Sequence, residues 1–105
     1  MRETIVWPDH DVYVSAATIW EVEIKRALGR LHSPADLVER IADAQLRPLP
    51  ITFAHASHAG RLPRLHDDPF DRMLIAQGQL EGLTIATADP AIARYDVSVL
   101  TVPRP

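Results

Sequence analysis

The apolar positions fall into short runs of β-formers separated by stretches with a helical period. Val12-Tyr13-Val14 is such a run and predicts a buried strand. Ser15 follows it as an N-cap, and a helix is predicted from Ala16 to about Leu28, with Trp20, Ile24, Ala27 and Leu31 recurring on one face and Gly29 as its stop. Core packing is the expectation for Trp20, with a partner groove as the alternative. Ser33-Pro34 opens the next helix, which runs to about Ala44 and buries Leu37 and Ile41. Leu46 to Ile51 reads as a strand that Pro48 and Pro50 confine to a sheet edge. A short alanine-rich helix from Thr52 to about Gly60 and a loop from Arg61 to Asp67 come next. Asp68-Pro69 starts a strong helix ending near Gly82, and Leu83 to Ala88 is a third strand. Asp89-Pro90 caps a short helix to Tyr95, and Val97 to Val102 is a fourth strand. At the front, Arg2 to Trp7 reads as the end of a helix and Pro8-Asp9-His10-Asp11 as a turn. Helices alternating with apolar strands predict an α/β sandwich around a parallel sheet.

Composition adds bounds. With 105 residues, 47% of them apolar and 24% charged, a single globular domain is expected. No apolar run reaches the ~18 residues of a membrane span, and there are no cysteines to form disulfides or thiolate metal sites. A cytoplasmic protein is the simplest expectation. The net charge of −3 argues against a general nucleic-acid coat. It leaves room for an acidic metal pocket beside a local basic patch.

Chain direction suggests where the acids meet. In open parallel sheets, ligands bind at the carboxyl ends of the strands. Ser15 ends the first predicted strand, where the helix carrying Glu21 begins; Asp89 ends the third. The helix from Pro69 feeds into that third strand and must run antiparallel to it, which brings Asp68 and Asp71 toward Asp89. Carboxylates gathered without counter-charge are usually reconciled by a hard divalent cation. Magnesium or manganese held this way supports phosphodiester hydrolysis. Each acid also has a purely structural reading. Asp68, Pro69 and Asp71 take N-cap, N1 and N3 of a helix, Asp89-Pro90 repeats the cap, and Glu21 stands four residues before Lys25. Convergence on one sheet edge favours the functional reading for Glu21, Asp71 and Asp89, while Glu23 and Asp67 remain structural or rim residues. The histidines form no zinc signature. His55 and His58 are expected in surface or packing roles, and His66, beside the acids, in a loop role with substrate contact as the alternative.

Three segments carry a family resemblance. They are Val14-Ser15-Ala16-Ala17-Thr18-Ile19-Trp20-Glu21, then His66-Asp67-Asp68-Pro69-Phe70-Asp71-Arg72-Met73-Leu74-Ile75-Ala76-Gln77, and Thr84-Ile85-Ala86-Thr87-Ala88-Asp89-Pro90. In order and spacing the chain resembles PIN-domain toxins of the VapC type. The resemblance implies a PIN-like three-layer α/β sandwich and a Mg²⁺- or Mn²⁺-dependent endoribonuclease, neutralised by a VapB-type antitoxin and dimerising with a second copy. It implies catalytic and metal-binding roles for Glu21, Asp71 and Asp89, with Asp68, Thr87 and Ser15 in support. Arg26, Arg30 and Arg64 are candidates for RNA phosphate contacts; Arg72, beside Asp71, is expected in an ion pair.

The departure is at the front. Such toxins open with a strand that ends in a first catalytic Asp and lies centrally, between the strands that correspond here to Val12 and Thr84. Asp9 and Asp11 precede the Val12 strand, which puts them at the opposite sheet edge. The chain is therefore expected to be a single partial PIN domain lacking its central first strand, through a misplaced start or a true truncation. Two functional expectations follow: a metal-dependent ribonuclease toxin, or a non-catalytic remnant that binds an antitoxin or dimerises. A nucleotide-binding or receiver-like α/β domain is a third class, weakened because the four glycines form no phosphate loop.

Overall fold

The computed structural model of the chain describes residues 4–6, 12–30 and 37–102. Five strands form one sheet: β1 (Thr4–Val6), β2 (Val12–Ser15), β3 (Arg47–Leu49), β4 (Thr84–Thr87) and β5 (Val99–Thr101), in the order β3-β2-β1-β4-β5. The helices are α1 (Ala16–Ala27), α2 (Leu37–Asp43), α3 (Phe53–Arg61) and α4 (Pro69–Glu81), followed by a 3₁₀ segment Pro90–Arg94. This is the expected α/β sandwich, with a mixed sheet. β2 pairs parallel with β3 and β4 with β5, while β1 is antiparallel to both β2 and β4. The four other strands thus share one direction, and Ser15, Leu49, Thr87 and Thr101 end at a common edge.

The amino end corrects the sequence reading. Thr4–Val6 is a strand and no part of a helix. It occupies the central slot that was expected to stand empty, pairing Ile5 with Tyr13 on one side and with Ile85 on the other. An empty slot would leave the facing N–H and C=O groups of β2 and β4 unpaired, which buried backbone rarely tolerates. Three residues are too few to show a period, so the β-branched run Thr4-Ile5-Val6 was the only local signal for a strand. Because β1 runs in reverse, its first residue, Thr4, lies beside Ala86 toward the common edge, with its hydroxyl donating to the Tyr13 carbonyl at 2.7 Å. The Pro8–Asp11 turn and the Ser33-Pro34 helix start lie outside the described residues.

Elsewhere the elements follow their local chemistry. Ser15 caps α1 by accepting from Ala17 N, and the chain leaves that helix through Gly29 at φ 71°. Thr52 and His55 form a reciprocal capping box at the start of α3. Asp68 caps α4 with Pro69 in its first turn, and Gly82 ends that helix in the left-handed region. Ile5, Leu74, Ile75, Ile85 and Ile92 are fully enclosed between the sheet, α4 and the 3₁₀ segment. Gly78 permits the close approach of α4 to the sheet: a Cβ there would meet Val97 Cγ2 at 2.9 Å. β3, with Pro48, lies at the sheet edge as expected. α2 contains no fully buried residue, so Leu37 and Ile41 are only half-buried, contrary to expectation.

Candidate metal centre

The strongest cluster of ligand-type side chains among the described residues is His66, Asp71 and Asp89, whose nearest donor atoms all lie within 4.8 Å of one another. Three elements supply it. Asp71 stands in the first turn of α4, where an acid is favoured by the helix dipole. Asp89 follows β4 and starts the 3₁₀ segment. His66 belongs to the loop between α3 and α4. His66 Nε2 is 2.7 Å from Asp71 Oδ2 and 3.9 Å from Asp89 Oδ2. Asp71 is buried, whereas His66 and Asp89 are partly open to solvent, so the cluster has one enclosed wall and one accessible side.

Both acids turn an Oδ2 oxygen toward His66. Asp89 Oδ1 accepts from Ala91 N at 2.9 Å, which leaves Oδ2 facing His66. The backbone N of Asp89 donates to the buried Thr87 hydroxyl at 2.9 Å. Thr87 therefore acts through Asp89, fixing the turn from which that carboxylate projects. Asp68 Oδ1 accepts from the backbone N of Phe70 and of Asp71. That bond orients the first turn of α4 and hence Asp71, and Asp68 lies outside the ligand cluster. Ser15 is likewise engaged as the α1 cap.

The His66 loop is tied down by Arg72 and Tyr95. Arg72 Nη2 donates to the Ala59 and Leu62 carbonyls, each at 2.9 Å, and Nη1 donates to the Pro63 carbonyl at 3.1 Å and the His66 carbonyl at 3.3 Å. Tyr95 donates its hydroxyl proton to the Pro63 carbonyl at 2.8 Å and accepts from Leu65 N at 3.2 Å. Arg72 was expected in an ion pair; the planar guanidinium instead gathers backbone carbonyls in a fork that an ammonium could not match.

Glu21 is not part of the cluster. Its carboxylate lies 3.2 Å from Lys25 Nζ, one helical turn on. α1 nevertheless passes beside the start of α4, because the Trp20 ring meets Phe70 edge-on with centroids 5.3 Å apart. Trp20 is 62% exposed, so the core position expected for it gives way to a surface one. With Val14, Ile19, Val38, Ile41 and Leu49 it lines an apolar groove of about 620 Å³ between α1, α2 and β3. Arg26 pairs with Glu23 at 2.7 Å, while Arg30 and Arg64 are exposed.

His66 is the residue that sequence reasoning undervalued. It lies five positions before Asp71 in a loop whose path no local pattern predicts. One nitrogen and two carboxylate oxygens are a donor set that small divalent cations accept, and their spacing is of the size found around a single such ion. His66, Asp71 and Asp89 would hold it.

No helix among the described residues is long and apolar enough to cross a membrane. No curated protein and no solved structure matches the chain. A family model described as "PIN domain" matches residues 2–98. PIN domains are a nuclease-type family and generally bind a divalent metal, in keeping with the cluster at the strand ends. By that match the chain belongs to the PIN-domain family.

Proposed function

We propose that this chain is a metal-dependent endoribonuclease of the toxin type, a hydrolase of RNA phosphodiesters partnered by a VapB-type antitoxin. The observation that carries the reading is the approach of Asp71 and Asp89, from the start of α4 and the end of β4, to one imidazole nitrogen, His66 Nε2, at the common strand edge. When bound, Mg²⁺ or Mn²⁺ polarises a phosphoryl oxygen and lowers the pKa of a coordinated water. The chain's own groups supply the rest. Asp71 and Asp89 fix the ion, Asp68 and Thr87 hold those two carboxylates in place, and Ser15 anchors the start of the helix that carries Glu21. Glu21 joins as a third acid by releasing Lys25. Exposed helical pairs of that kind contribute only about 0.3–0.5 kcal/mol, a small barrier to exchange. Arg26, Arg30 and Arg64 meet RNA phosphates. The groove beside Trp20 takes an apolar segment of the antitoxin.

A second reading has its own support. The Glu21–Lys25 pair leaves two acids rather than three at the cluster, and the exposed apolar groove suits a partner. On that reading the chain binds an antitoxin, or a second copy of itself, without cleaving RNA.

Single-stranded RNA incubated with the purified chain and Mn²⁺ separates the two. The nuclease reading expects cleavage that stops on chelation and falls at least about 100-fold in Asp71→Asn and Asp89→Asn, the order of loss seen when catalytic or ligating groups are removed. Cleavage that survives both substitutions would remove these residues from the site. Intact RNA under all conditions, with antitoxin still bound, would favour the second reading.

A further inference from the structure

The geometry points to His66 as a metal ligand in its own right, which makes the centre a nitrogen–oxygen site that prefers a first-row transition ion such as Mn²⁺ to Mg²⁺. This rests on the reading of Asp71 and Asp89 as cation ligands given above. Two observations distinguish His66 from a bystander. The first is position: Nε2 lies close to a carboxylate oxygen of each acid, 2.7 Å from Asp71 Oδ2 and 3.9 Å from Asp89 Oδ2. An ion placed between those oxygens must either displace the imidazole or bind it.

The second is the anchored loop, which favours binding over displacement. The His66 carbonyl accepts from Arg72 Nη1 at 3.3 Å, and the Leu65 N–H on the preceding residue donates to the Tyr95 hydroxyl at 3.2 Å. Arg72 itself is anchored on the Ala59 and Leu62 carbonyls. The backbone from which the imidazole projects is thus fixed to α3, α4 and the 3₁₀ segment at once. With the backbone held, only rotation of the side chain could take the ring away, at the loss of the Nε2 contact with Asp71, whereas binding keeps Nε2 in place with the ring hydrogen on Nδ1. The partial exposure of His66 and Asp89 leaves a path for entry.

The chemical consequence is selectivity. Magnesium is best served by carboxylate, carbonyl and water oxygens, while an imidazole nitrogen raises affinity for transition ions. His66→Gln keeps a polar side chain in the loop and removes the ring nitrogen. It is expected to weaken Mn²⁺ binding by about tenfold or more, and to change Mg²⁺ binding much less.

Pulsed electron paramagnetic resonance of the full chain loaded with Mn²⁺ tests this without reference to activity. A nitrogen modulation from a directly bound imidazole is expected in the parent protein and should vanish in His66→Gln. Bound Mn²⁺ with no nitrogen modulation, or a modulation that persists in His66→Gln, would overturn His66 as a ligand and leave the two aspartates as the site. A chain that binds no Mn²⁺ at all would overturn this inference together with the nuclease reading.

Discussion

Asp71 and Asp89 show how a residue can serve structure and chemistry at once. Both sit where acids are favoured for local reasons, yet each directs an Oδ2 toward His66. Thr87 makes the division of labour testable. Its hydroxyl receives the Asp89 N–H and is itself buried. Thr87→Val keeps the shape and removes the acceptor, leaving that N–H unpaired. The expected cost is about 1–2 kcal/mol in thermal or urea unfolding, together with weaker Mn²⁺ binding, because Asp89 loses its fixed turn. Unchanged binding would mean that Asp89 is placed by other contacts. The meeting of Asp71 with Asp89 was legible in the sequence, since a helix feeding into a parallel strand must return its amino end to the strand's carboxyl end. The place of His66 beside them was not legible, because its loop is positioned by Arg72 and Tyr95 across long stretches of chain.

At the scale of elements, caps and periods served well where they were strong. Ser15, Thr52 and Asp68 each start a helix as their side chains dictate. Thr4–Val6 escaped notice because a three-residue strand is defined by its neighbours and not by its own pattern. Its place between β2 and β4 puts Ile5 at the sheet centre with no exposed surface. Ile5→Ala is expected to destabilise the fold by about 2–4 kcal/mol, measured by chemical denaturation. A cost below about 1 kcal/mol would be that of a frayed edge, and would contradict a central β1. The reversed direction of β1 also sets which of its ends meets the common edge: the described residue there is Thr4, beside Ala86.

At the scale of the whole molecule, the fold converts one arginine into a brace for the site. Arg72 joins α4 to the end of α3 and to the His66 loop, and through Tyr95 that loop meets the 3₁₀ segment. Sequence proximity suggested Asp71 as its partner; the actual acceptors are carbonyls that only the folded chain brings within reach. Arg72→Lys preserves the charge but cannot reproduce the fork. It is expected to cost about 2 kcal/mol, or roughly 10 °C in Tm for a chain of this size, and an unchanged Tm would show that the brace is dispensable. The same long-range logic underlies the proposed cation site, whose candidate ligands come from three separate segments.

Calorimetric titration of Mn²⁺ into the parent chain, Asp71→Asn, Asp89→Asn and the double variant tests the shared site most directly. A single ion per chain is expected, weakened at least about tenfold by either substitution, with the double variant little worse than the singles because both remove the same site. Full-strength binding in either single variant would contradict a cation held jointly by Asp71 and Asp89.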